Sequence, residues 1–125
     1  MTVGPELSRP NGISYLHIPA TDPAASARFY QAAFSWAVHN LEGPEPGFED
    51  GTGHVAGAWV RDQAVQREAG LLLYIYVDDA EAAARRIVDA GGEMVEGPRP
   101  EGTLRVGTFR DPAGNLLGIW QETAR

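Results

Sequence analysis

The chain states one sentence twice. FEDGTGHVAGAW, residues 48–59, returns as FRDPAGNLLGIW, residues 109–120, with Phe, Asp, Gly, Gly and Trp in the same places. Upstream, ISYLHIPATDPAASARFY (13–30) lines up with GLLLYIYVDDAEAAARRI (70–87), setting Asp22 against Asp79. A repeat of this length means that one supersecondary unit was made twice and that neither copy buries its apolar faces alone. The offset is 57 at the aspartates and 61 at Gly57 and Gly118, so the second copy is longer by four residues. We assign the extra length to the EGPRPEGT loop.

Each copy reads alike. Runs rich in β-branched and aromatic residues, Ile13 to Ala20 and Leu71 to Val77, predict strands. Thr21 or Asp22 and Asp78 or Asp79 are the candidate N-caps. Pro23 suits a first helical turn, and Glu81 complements a helix N-terminus. Helices follow, with Ala25, Phe29 and Ala33 on one stripe beside Ala32, and Ala83, Ile87 and Ala90 on the other. Gly91-Gly92 stops the second helix. SWAVHN and EMVEG predict further strands. Hairpins turn at residues 50–53 and 111–114. The expected fold is α+β: two tandem βαβββ modules forming a curved mixed sheet around a cleft, helices on the outside. One domain, residues 1–125, holds repeats over about 11–60 and 70–122 joined by a polar linker, 61–69. The opening residues, MTVGPELSRPNG, read as a loose arm without the marks of a signal peptide.

Composition removes several functions. A net charge of -7 argues against nucleic acid, because phosphate binding needs a basic surface. There is no cysteine, hence no disulfide, thiolate metal site or Cys nucleophile. All ten basic residues are Arg, which excludes a lysine Schiff base. No apolar run spans a bilayer. A cytoplasmic protein with no membrane partner is expected.

The paired modules, the FYQAAFSW helix exit and the DPAGNLLGIW ending resemble the vicinal oxygen chelate superfamily, which includes glyoxalase I, bleomycin-resistance proteins and extradiol dioxygenases. The resemblance runs from Ile13 to Gln121. Ser35 departs from it, standing where relatives commonly have Gly before the Trp. In relatives that carry a divalent metal, ligands come from the position seven residues before each capping Asp and from the strand position four residues after the turn Gly. Here the resemblance puts those positions at Tyr15, Gly57, Leu72 and Gly118. None is His, Glu or Gln, so no metal or other cofactor is expected and typical glyoxalase I activity is disfavoured. A displaced metal on His17 and a carboxylate is the alternative. His39 and His54 read as surface histidines. The resemblance also implies a homodimer.

Side chains alternate along a strand. Leu16 and Ile18, with Leu73, Ile75 and Val77, belong under the helices. Tyr15, His17, Leu72, Tyr74 and Tyr76 then face the hollow, with His17 and Tyr74 at equivalent places. By analogy Trp59 and Trp120 join them, as do Val55 and Leu116. Phe48 and Phe109 join too if the turns keep simple register, whereas a bulge flips them. The candidate ligand-binding set is therefore Tyr15, His17, Trp59, Leu72, Tyr74, Tyr76 and Trp120. Such an aromatic lining suits a small aromatic or cationic ligand. The competing reading has Trp59 and Trp120 filling a closed core. His17 is the candidate acid/base if the protein is an enzyme, since imidazole changes charge near neutral pH. Two functions follow: a bleomycin-resistance-like binding protein, or a lyase, isomerase or dioxygenase of the same fold using His17 or the displaced metal.

Overall fold

The computed structural model describes residues 7–122, which divide into two compact units, one up to Ala64 and one from Val65. Each unit has the expected βαβββ order. The first contains β1 (Tyr15–Pro19), α1 (Pro23–Phe34), β2 (Ala37–His39), β3 (Gly47–Glu49) and β4 (Ala56–Val60). The second contains β5 (Tyr74–Tyr76), α2 (Ala80–Asp89), β6 (Glu93–Glu101), β7 (Leu104–Arg110) and β8 (Leu116–Glu122). The sheets have the same topology, β1-β4-β3-β2 and β5-β8-β7-β6, with the first and last strands of each copy parallel and the other neighbours antiparallel. Residues 7–12, the described part of the N-terminal arm, hold no helix or strand, and the rest of the arm lies outside the described residues. Among the described residues no helix is long and apolar enough to cross a membrane.

Both helices start where the aspartates predict. Asp22 Oδ1 accepts from the Ala25 amide at 3.2 Å, and Asp79 Oδ1 from the Ala82 amide at 3.1 Å. Each bond satisfies one of the orphan donors at a helix start, a contribution of about 1 kcal/mol. Pro23 opens α1 as expected. Ser35 ends α1 in the left-handed region, at φ 60 and ψ 31. The equivalent job after α2 falls to Gly91, at φ 108.

The core of each unit lies between its helix and its sheet. In the first, Tyr30 stacks on Trp36 with ring centroids 4.6 Å apart, and Trp36 on Phe48 at 4.7 Å. In the second, Ile87 of α2, Phe109 of β7 and Ile119 of β8 are fully buried, each worth roughly 1.5–3 kcal/mol of hydrophobic free energy. Two polar contacts join α2 to its sheet. Gln121 Oε1 accepts from the Ala80 amide at 2.7 Å, and Arg105 meets Glu81 at 2.9 Å.

EGPRPEGT forms strand rather than loop, since β6 continues to Glu101 before the chain turns into β7. The second copy is indeed longer in this hairpin. The linker is shared between the units. Arg61 donates to the Thr21 carbonyl at 2.6 Å. Further on, the Gln66 amide donates to Asn115 Oδ1 at 2.8 Å, and the Leu116 amide donates to the Gln66 carbonyl at 3.0 Å.

Candidate functional site

The hairpin turns decide which side chains each sheet presents. Asp50 and Asp111 organise them in the same way. Asp50 Oδ1 accepts from the Thr52 amide and hydroxyl, and Asp111 Oδ1 from the Ala113, Gly114 and Asn115 amides. Their lengths differ. The Asp50 amide donates to the Val55 carbonyl, whereas the Asp111 amide donates to Asn115, one residue sooner. The first turn therefore holds one more residue than the second. Phe48 pairs with Gly57, but its counterpart Phe109 pairs with Leu117. Likewise His17 pairs with Ala58, while its counterpart Tyr74 pairs with Gly118.

Paired residues share a face, and a one-residue slip exchanges the faces of a strand. The position equivalent to Gly118 is Ala58, not Gly57. The equivalent of Trp120 is Val60, and that of Trp59 is Ile119. This corrects the expected place of Trp59. It is fully buried on the helix side, 5.7 Å from Tyr30 of α1 and 4.8 Å from Phe48. Gly57 also lies on that side, where an added Cβ would meet the Leu16 carbonyl and, at 2.5 Å, the Phe48 ring. Phe48 and Phe109, at 2 % and 0 % exposure, belong to the helix-side cores rather than to the open faces.

Tyr15, His17, Tyr74 and Tyr76 lie on the faces that alternation gives them, whereas Leu71 to Leu73, expected to open the strand β5, precede it. In the second unit Tyr74, Gly118 and Thr108 form one row across β5, β8 and β7, and Tyr76, Trp120 and Val106 form the next. This is the face away from α2. Tyr74 is 48 % exposed and Tyr76 42 %. The Tyr76 and Trp120 rings meet edge to face, 4.7 Å between centroids at 79°. Tyr74 lies over Gly118, where an added Cβ would come within 2.5 Å of its ring. Leu72 is exposed just before β5.

In the first unit Tyr15 and His17 share the face away from α1, their rings edge to face at 5.6 Å. The Gln63 side-chain amide approaches His17 Nδ1 at 3.4 Å, a contact the sequence does not announce because Gln63 sits in the linker. His39 is exposed at the end of β2, and the His54 amide donates to Thr52 Oγ1 inside the turn.

The chemistry of the residues present decides whether the metal positions implied by the resemblance could hold an ion. With the register corrected they are Tyr15, Ala58, Leu72 and Gly118. Ala58, Leu72 and Gly118 have no donor atom in their side chains, and the Tyr74 ring occupies the space above Gly118. These residues do not fit the family's usual divalent metal. Among the described residues no three His, Cys, Asp or Glu side chains gather elsewhere.

A family model described as a glyoxalase-like domain matches residues 15–119. The chain belongs to this family. The glyoxalase-like domain is 28% identical to the anthracycline biosynthesis protein DnrV of Streptomyces peucetius, over 90% of this chain and 48% of that protein. It is 27% identical to the putative glyoxylase CFP32 of Mycobacterium bovis, over 86% of this chain and 44% of the other. It thus spans about half the length of the curated relatives it matches. Among solved structures, the domain shares the fold of TnmS3, an antibiotic binding protein from Streptomyces sp. CB03234. The TM-score is 0.69 at 20% identity, covering 90% of this chain and 96% of that one. The fosfomycin resistance protein FosX of Mesorhizobium loti has a TM-score of 0.72 at 20% identity, covering 92% and 95%. Both likenesses are of fold.

Proposed function

We propose that this glyoxalase-like domain binds a small planar aromatic or cationic molecule on the open face of its second unit. One observation carries the reading: Tyr74, Tyr76 and Trp120 share that face in adjacent rows, with both tyrosines about half exposed. Aromatic side chains left open to solvent on a sheet face are available to stack, and their π faces also attract cations. Tyr15 and His17 form a second, more polar patch in the first unit. There His17 offers a hydrogen bond and a proton-accepting nitrogen.

The relatives support a ligand of this kind. One is named for anthracycline biosynthesis, and a structural neighbour is named an antibiotic binding protein. Anthracyclines carry a planar fused-ring system. A soluble homodimer acting in the cytoplasm belongs to the same reading, and sedimentation and cell fractionation test those two parts.

Calorimetric titration with an anthracycline, followed by chromatography of the recovered compound, tests the function. Saturable binding with the compound returned unchanged is expected. Turnover that disappears in His17→Ala would replace the binding protein with an enzyme. No heat of binding from planar or cationic compounds would overturn the reading.

A further inference from the structure

The ring of Tyr74 sits directly on Gly118. A Cβ built at 118 would lie 2.5 Å from Tyr74 Cε2, 2.6 Å from Cδ2 and 3.0 Å from Cζ. All three are ring atoms of a side chain that is 48 % exposed, so one side of the ring rests on the strand and the rest is open. Only a residue without a side chain leaves room for that placement. The next row holds Trp120, supported edge-on by Tyr76. Rows on one face of a strand repeat every ~7 Å, and neighbouring strands are ~5 Å apart. The aromatic shelf on β5 and β8 therefore has the footprint of a small fused-ring system rather than of a single compact cation. Its β7 border is Thr108 and Val106, a hydroxyl and an aliphatic group, and beyond Thr108 the row reaches Glu96 of β6, so the preference for a fused-ring system rests on the footprint alone.

We propose that Gly118 is a positioning residue: it seats the Tyr74 ring against the sheet, and the resulting shelf selects planar fused-ring ligands over compact cations. This rests on the binding function proposed above and assigns its specificity. It also gives Gly118 a role of its own, distinct from the room left by a missing metal ligand. Because Tyr74 is half exposed, an alanine at 118 displaces the ring outward without disturbing the core.

The test compares wild type, Gly118→Ala and Tyr74→Leu with two probes, quinizarin (planar and neutral) and tetramethylammonium (compact and cationic). Wild type should bind quinizarin and not tetramethylammonium. Both variants should bind quinizarin roughly three- to tenfold more weakly, the range that aromatic stacking accounts for. Their urea midpoints should match wild type. An NMR readout needs no ligand: the Tyr74 ring current should move the Gly118 α-proton resonances upfield in wild type, and Tyr74→Leu should abolish that shift. Unshifted Gly118 protons in wild type, or a Gly118→Ala protein that binds quinizarin like wild type, overturn the seat while leaving the binding function standing. A wild type with the shift that binds no planar compound overturns the binding function itself, and the selectivity with it. Tighter binding of tetramethylammonium than of quinizarin overturns the ligand class.

Discussion

Trp59 and Ile119 occupy the same place in the two copies. Trp59 pairs with Ile18 of β1, and Ile119 pairs with Ile75 of β5, the residue that corresponds to Ile18. Both are fully buried under their helices. The tryptophan that matches Trp59 letter for letter, Trp120, lies on the opposite face of its sheet.

Trp59 should therefore govern stability. Its Nε1 is buried with no hydrogen-bond partner among the described residues, so the indole contributes size and aromatic contact rather than a polar bond. Trp59→Ala should cost about 3–5 kcal/mol in urea unfolding. Trp59→Phe should cost clearly less, because it keeps most of the contact and removes the unsatisfied donor. Equal losses in the two variants would mean that the N–H finds a partner, such as a buried water.

Trp120 should govern recognition instead. Trp120→Ala is expected to weaken binding of the stacked ligand by roughly 1–3 kcal/mol with little effect on the unfolding midpoint. Acrylamide should quench Trp120 emission well before that of Trp36 and Trp59, as single-tryptophan variants would show. Unchanged affinity in Trp120→Ala would remove this side chain from the site.

Two glycines aligned letter for letter in the repeat, but on opposite faces of their sheets, should respond differently to the same change. Gly57→Ala drives a Cβ into the Leu16 carbonyl and the buried Phe48 ring, neither of which has room to move. A loss of about 3 kcal/mol is expected from such overpacking. Gly118→Ala meets only a half-exposed tyrosine, and its unfolding midpoint should be close to that of wild type. Denaturant titration of the pair distinguishes them directly.

Ser35 holds φ 60 at the end of α1, a conformation in which glycine carries no side-chain penalty. Ser35→Gly should raise stability by up to roughly 1 kcal/mol, less the entropy that glycine adds to the unfolded chain. A lower melting temperature in calorimetry would show that the serine side chain supplies a compensating bond.

The repeat made most of the fold legible. The order of elements along each copy, the helix starts at Asp22 and Asp79, and the faces of Tyr15, His17, Tyr74 and Tyr76 follow from pattern and alternation, and that of Trp120 from the family resemblance. The place of Trp59 does not follow, because identical spacing does not fix strand pairing. Phe48 to Trp59 and Phe109 to Trp120 have equal lengths, but the first turn takes one more residue, so the aligned letters stand one place out of register and their side chains face opposite ways. The unequal hydrogen-bond spans of Asp50 and Asp111 reveal this, and such spans are invisible in a string of residues. Gln63 beside His17 was illegible for a related reason: it comes from a linker, where no periodicity constrains direction.

The longer first turn also bears on how a duplicated protein diversifies. A point substitution alters one side chain, but one added turn residue exchanges inside for outside along a whole strand in a single event. After that exchange the two halves no longer answer to the same constraint. The residue at 59 is held by the requirement to fold, while the residue at 120, on the open face, is released from that requirement. Under the proposed binding function, variation in ligand preference should therefore accumulate in the second half, with the first serving as the conservative partner of the pair.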